Sequence, residues 1–341
     1  ISVLIGVGNG TFLPQATFTA GNGPSSIALL DANKDGHLDV VTANLYGHNV
    51  SVLLGIGDGT FLAQTTYEVG NYPLSVETSD VNRDGHLDVI TANQGSDSVS
   101  VLLGIGDGAF LAHKTFAVSD AIRDVALSDI NKDGRLDIVT ANYTNASVSV
   151  ILGIGDGTFH AQKRLAVEDG PRSLALSDVN DDGYLDVVTA NRDSYSNSIS
   201  VLLGVGDGTY LPQRTFAVGK TPFSVALSDV NADGHLDVVT ANYADGNVSM
   251  LLGTGDGMFL AQTTFAVGDA PFSVAISDLN EDGHLDVVTA NYLDGDVSML
   301  LGVGDGTFLP QTTFEVGGLP RSVALSDVNE DGHIDVVTAN Y

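Results

Sequence analysis

The sequence predicts an all-β protein: a closed, seven-bladed β-propeller of four-stranded antiparallel blades. Three observations carry this. A segment close to Ser-Val-Ala-Leu-Ser-Asp-Val-Asn-x-Asp-Gly-His-Leu-Asp-Val-Val-Thr-Ala-Asn recurs seven times, its first aspartates at Asp31, Asp80, Asp129, Asp178, Asp229, Asp278 and Asp327, spaced 49, 49, 49, 51, 49 and 49 residues apart. A second signature, near Gly-x-Gly-Asp-Gly-Thr-Phe, begins at Gly6, Gly55, Gly104, Gly153, Gly204, Gly253 and Gly302. Periods of this length belong to solenoids, propellers or arrays. No window carries an amphipathic 3.6-residue period, so helices are not expected.

Each unit reads as four short strands. In the fifth they are expected at Ser224–Ser228, Leu236–Ala241, Val248–Leu252 and Thr263–Val267. These runs are rich in Val, Leu, Thr and Phe and are bounded by Gly, Asn and Asp clusters. Consecutive apolar pairs such as Val238-Val239 suit strands buried on both faces. Antiparallel four-stranded units repeated radially build a propeller. The termini fix its closure. The chain begins in a third strand (Ile1–Leu4) and ends after a second one (Asp335–Asn340), so the seventh blade is split between residues 1–20 and 321–341 of a single 1–341 domain. A ring uses such a split as a clasp.

Composition narrows the function. There are 43 acidic and 13 basic residues, a formal charge of −30, and no cysteine. Phosphate-backbone binding rests on Lys and Arg, which excludes nucleic acid as a partner. The same sign opposes anionic membrane surfaces, and no run is long and apolar enough to insert. Disulfides and thiolate zinc sites are excluded. Ile1 is preceded by no initiator Met or leader, so a mature fragment or domain of a larger chain is expected, monomeric in itself.

The acidic loop after the first strand of each unit carries the most chemistry. In the first loop Asp31, Asn33, Asp35 and Asp39 place oxygen-bearing side chains at positions 1, 3, 5 and 9, with Gly36 at 6 for the turn and the carbonyl of His37 at 7. Calcium takes six to eight hard oxygen ligands, which such a loop wraps around one centre. The same set recurs as Asp80, Asn82, Asp84, His86 and Asp88, and as Asp129, Asn131, Asp133, Arg135 and Asp137. It follows as Asp178, Asn180, Asp182, Tyr184 and Asp186 in the fourth unit, and as Asp229, Asn231, Asp233, His235 and Asp237 in the fifth. The last two are Asp278, Asn280, Asp282, His284 and Asp286, then Asp327, Asn329, Asp331, His333 and Asp335. Position 12 is Thr42 where an EF-hand needs a bidentate Glu, and the flanks are strands, so these are β-hairpin loops. Up to seven calcium ions are expected, one per blade. A plain Asn-Asp-Gly turn needs only one or two of these residues.

Asp-x-Asn-x-Asp-Gly-x-x-Asp between strands, followed by Leu-Leu-Gly-x-Gly-Asp-Gly-Thr-Phe, resembles the FG-GAP/VCBS repeat over essentially the whole chain. The resemblance implies the seven-bladed propeller of integrin α subunits and secreted bacterial proteins, with extracellular calcium sites on the loops at one face. Integrin propellers carry such loops in only some blades, whereas all seven are intact here. Without cysteines or leg domains, an integrin assignment itself does not follow.

The remaining motifs are weaker. Gly-Ile-Gly-Asp-Gly is a hairpin turn, since no helix follows to present its N-terminus to a phosphate. Histidines at loop position 7 share that slot with Arg135 and Tyr184, so no catalytic histidine is expected. Asn9, Asn49, Asn142, Asn145 and Asn247 open glycosylation acceptor triplets, of consequence only in a eukaryotic host. Most acidic residues belong to repeated motifs and no catalytic constellation stands out, so the non-repeating positions are the informative ones. They fall on two loops at the face opposite the calcium loops. The first loop varies as Ser25, Leu74, Arg123, Arg172, Phe223, Phe272 and Arg321, the second as Tyr46, Tyr143, Arg192, Tyr195, Tyr243 and Tyr292. From these, Arg123, Arg172, Phe223, Phe272, Arg321, Tyr143, Arg192, Tyr243 and Tyr292 form the expected ligand face, since arginine and aromatic side chains suit sugar stacking or a protein hot spot. The leading expectation is a non-enzymatic, calcium-rigidified extracellular or cell-surface module that binds glycan or protein. A polysaccharide lyase or hydrolase is the runner-up, and a structural repeat of a surface adhesin or fibre the third reading.

Overall fold

The computed structural model describes residues 1–118, 121–192 and 197–341. Seven four-stranded antiparallel sheets form a ring. In the fifth blade the strands are Pro222–Ser228, Asp237–Asn242, Asn247–Leu251 and Thr263–Ala266, each within two residues of expectation. The second strand of each blade is buried on both faces, which is why it reads Asp-Val-Val-Thr-Ala-Asn rather than alternating. Its buried polar groups are satisfied within the blade. Thr240 Oγ1 donates to Asn242 Oδ1 at 3.0 Å, and Asn242 Nδ2 donates to Ser249 Oγ at 2.7 Å.

The core lies between blades. Val179, Val188 and Ile199 of the fourth blade pack against Val225, Val238 and Leu251 of the fifth. The closing interface is built the same way, with Val3, Val328 and Val337 against Ile27, Val40 and Leu53. Ser2–Leu4 pairs antiparallel with Asp335–Asn340, bringing Ser2 opposite Thr338. Ser2 Oγ also accepts Asn340 Nδ2 at 2.7 Å, repeating across the two termini the Asn–Ser bond of the other blades. The split seventh blade is the expected clasp.

Two local devices position the functional ends. The first is the opening glycine of the second signature. A Cβ on Gly253 would lie 2.1 Å from the Leu236 carbonyl oxygen, so only glycine lets the hairpin close against the acidic loop. The second is a register shift after the first residue of every inner strand. Pro222 pairs with Asn242 and Ser224 with Ala241, leaving Phe223 unpaired between them. Bulges of this kind re-aim a side chain, and here the bulged residue is the variable one in each blade.

Candidate functional site

The inner strand runs from the variable loops to the acidic loop, and the second strand runs back, so the two candidate sites lie at opposite ends of each blade. At the acidic end all seven loops share one geometry. In the first, Gly36 N donates to Asp31 Oδ2 at 3.0 Å and Asp35 N to Asn33 Oδ1 at 3.0 Å, while Asp35 accepts from Asn33 Nδ2 at 2.7 Å and His37 N at 2.9 Å. Position 4 is left-handed in every loop, with φ of 60° at Lys34 and 55° at Ala232, and Gly36 follows at 92°. Asp39 is fully buried and ties the loop to the hairpin, its two oxygens accepting Ala32 N and Gly55 N at 2.8 Å each.

The expected ligands at positions 1, 3, 5 and 9 therefore share one turn, but their oxygens face the loop's own N–H groups. Among the described residues no three His, Asp or Glu side chains gather around a common point. The donor chemistry nonetheless fits a hard divalent cation: the side chains at positions 1, 3, 5 and 9 offer carboxylate and amide oxygens only, three of the four acidic. The electrostatics point the same way. Burial first, and then the neighbouring acidic side chains, push Asp88, Asp137, Asp186 and Asp335 up to about 6. Charge on position 9 is thus only partly compensated, by the two backbone N–H groups each of these carboxylates accepts.

Side chains at position 7, expected to matter only through their carbonyls, cross the blade boundary. Three histidines there meet an acid at position 4 of the preceding loop: His37 pairs with Glu330, His235 with Asp181 at 3.0 Å, and His333 with Glu281. Tyr184 instead receives Lys132 over its ring at 4.4 Å. Hydrogen bonding to Glu330 and Glu281 raises His37 and His333.

At the opposite end the bulged residues ring the mouth of the central channel. Arg123, Arg172, Phe223, Phe272 and Arg321 line an inner well of about 120 Å³. Arg192, Tyr243 and Tyr292 widen it into a vestibule of about 320 Å³. Arg172 lies 4.7 Å over Phe223 and 4.9 Å over Phe272, and Arg192 lies 4.2 Å over Phe223. Phe223 stacks on Tyr243 at 4.6 Å. Arg123 covers Tyr143 at 4.7 Å, and Arg321 covers Tyr341 at 3.9 Å. Eight of the nine expected ligand-face residues thus line one depression, with Tyr143 reaching it through Arg123 and also bordering a side cleft with Asp169. Ser25 is occupied by the carbonyls of Ala43 and Pro73, and Tyr46 by the hydroxyl of Tyr341. Tyr195 lies outside the described residues. Asn142, read as a glycosylation acceptor, is fully buried, which closes that triplet to modification.

Among the described residues no carboxylate forms an ion pair with Arg123, Arg172, Arg192 or Arg321, although Asp124 lines the same inner well and its charge acts on Arg172. The Nε of Arg123, Arg172 and Arg321 are buried without a hydrogen-bond partner. Burial, followed by repulsion from Arg123, Arg192 and Arg321, lowers Arg172 to about 9.

Two channel residues carry a sequence signal that the repeated acidic motifs mask, because each breaks a column rather than a motif. One ring of the channel is serine in six blades (Ser26, Ser75, Ser173, Ser224, Ser273, Ser322) and Asp124 in the third. Asp124 does what its serine counterparts do, accepting the next blade's Leu174 N at 2.9 Å, and additionally accepts Ser75 Oγ at 2.7 Å. Two residues further along, alanine in six blades is replaced by Glu77, which burial, and then Asp124, push up to about 8.

The FG-GAP-like repeat profile matches residues 1–42, 31–91, 80–140, 129–189, 178–240, 229–289 and 278–338. Among curated proteins no sequence matches the chain. Solved structures share the fold. A 6-phosphogluconolactonase homologue from Bacteroides fragilis aligns over 94% of this chain and 96% of its own, with TM-score 0.71 and 16% identity. The periplasmic gluconolactonase of Pseudomonas aeruginosa aligns over 93% and 96%, with TM-score 0.70 and 17% identity. An Agrocybe aegerita lectin that recognises non-reducing terminal N-acetylglucosamine aligns over 100% and 95%, with TM-score 0.59 and 18% identity. At these identities the likeness is one of fold.

Proposed function

The chain belongs to the FG-GAP-like repeat family, and from that premise we propose that it is a calcium-stabilised, extracellular or cell-surface binding module that takes a glycan at the mouth of its channel. The observation that carries the reading is the convergence of the repeat-breaking residues. Seven near-identical blades differ chiefly at the bulged position and the following loop, and those differences meet in one depression of arginine and aromatic faces. Aromatic rings supply stacking area and arginines supply fixed donors, the combination that concentrates binding energy in few residues.

In this reading calcium is structural. Asp31, Asn33, Asp35 and Asp39, with the carbonyl of His37, would hold one ion, and their equivalents in the other six loops the rest. The ion supplies the positive charge that the acidic turn lacks. Extracellular modules bind calcium at about 10⁻⁴–10⁻³ M, which an extracellular environment saturates. In a chain without cysteine, metal occupancy replaces the disulfide as staple.

One observation favours a second reading, a polysaccharide lyase or hydrolase: Arg123 lies against Tyr143, pairing a cation that neutralises charge with a phenol base. A single experiment separates the two. Calcium-loaded protein is incubated with acidic and neutral polysaccharides and read for retention and for polymer shortening, beside a chelated control. Retention without shortening is expected. Shortening would put the enzyme first, and neither signal would overturn the glycan reading.

A further inference from the structure

Resting on the glycan reading of the mouth, we propose that its ligand is an acidic sugar, bound with its carboxylate or sulfate in the inner well between Arg172 and Arg321 and its ring against Phe223 and Phe272.

The argument starts from charge. The protein carries −30 with only 13 cationic residues, yet four of these are placed at one channel mouth. Elsewhere Lys220 meets Asp245, and Lys132 lies over the ring of Tyr184. At the mouth the aromatic rings cover guanidinium faces, and a ring face satisfies no in-plane N–H. Three buried Nε donors remain unpaired. Leaving buried charged donors unsatisfied is costly, and a neutral sugar hydroxyl repays it poorly compared with an oxyanion. The lowered Arg172 agrees, since a bound anion reverses the repulsion among the guanidiniums.

The well is also polarised. The bulged residues of blades three to seven are cations and rings, Arg123, Arg172, Phe223, Phe272 and Arg321, whereas those of blades one and two are Ser25 and Leu74. The anion therefore seats off-axis, on the arc where Arg172 and Arg321 both cover Phe272, at 4.9 and 5.3 Å. The rest of an oligosaccharide leaves over the uncharged side. Asp124 at the floor limits how deep the anion enters.

The test is calorimetric titration of the calcium-loaded protein with oligogalacturonate, its methyl ester, dextran sulfate and dextran. Affinity for one or both charged polymers is expected to exceed that for the matched neutral one by roughly ten- to a hundredfold, because charge-assisted hydrogen bonds are lost with the charge. The arm that binds tells carboxylate from sulfate. Arg172→Met and Arg321→Met should each abolish that preference with an unlowered melting temperature, Arg321→Met serving if the more buried site disturbs folding. Equal binding of charged and neutral partners, or variants that keep the preference, would overturn the acidic-sugar assignment and leave the glycan reading intact. Binding of none of the four would overturn both.

Discussion

Replacing Glu77 with alanine should stabilise the protein, and by an amount that depends on pH. Alanine is the residue at the same position in the other six blades, from Ala28 to Ala324, so the substitution introduces no new shape into the ring. The Glu77 carboxyl is pushed from 4.5 up to about 8, by burial first and then by Asp124. The folded protein therefore binds this proton more tightly than the unfolded chain between those two values. The neutral acid is accommodated at acid pH, stability falls as pH rises from about 4.5, and the full penalty is present above about 8. At about 1.4 kcal/mol per unit, the shift sets a ceiling near 5 kcal/mol. Because the side chain faces a channel rather than a sealed core, Glu77→Ala is expected to gain about 2–4 kcal/mol at pH ~9 and almost nothing at pH ~5. Urea denaturation at the two pH values, at fixed calcium, reads the difference. A gain of equal size at both would refute the electrostatic account and leave only a packing effect.

Further outcomes follow from the same structure. Asp286→Ala strands the N–H groups of Leu279 and Gly302, which the carboxylate accepts at 2.8 Å each; a loss of roughly 2–4 kcal/mol is expected in denaturant titration. Chelation of the calcium-loaded protein should lower the melting temperature by more than about 10 °C, since one site held at a hundredfold excess already contributes about 2.7 kcal/mol; an unchanged melt would remove the structural role proposed for the ion. Glu330→Gln should return the raised His37 toward its ordinary range while leaving His333 high, seen as a change in one of two imidazole titrations by NMR.

The fold was legible because the sequence states it seven times. Interior period, terminal phase and the small set of strand residues left one closed architecture. The acidic loops were legible as donor sets for the same reason. What lay beyond the sequence was which non-repeating side chains meet. Arg123 and Arg321 are 198 residues apart in the chain and share one well only because the ring closes. The bulge that turns them inward is marked by a leading proline in six of the seven inner strands, but proline alone does not announce a register shift. Glu77 and Asp124 had a readable signal, since each breaks a column that is otherwise uniform. The pairing of loop position 7 with position 4 of the preceding unit was readable too, as His with acid at three boundaries and Tyr with Lys at a fourth.

The two ends of the blades are linked by charge rather than by a moving part. Three carboxylates in each of seven loops make 21 of the 43 acids, and seven bound calcium ions would bring the formal charge from −30 to −16. The loops stand one inner strand away from the mouth, seven residues or about 23 Å. That exceeds the Debye length of about 8 Å at physiological salt and falls short of the roughly 30 Å at 0.01 M. An acidic ligand at the arginine well is therefore expected to bind the calcium-loaded and the metal-free folded forms alike at physiological salt. At about 0.01 M the loaded form should bind more tightly, because less of the distant negative charge then opposes the approach. Titration of both forms at the two salt concentrations checks this. A calcium effect that persists undiminished at high salt would require a structural change running along the blades, and the electrostatic link would fall.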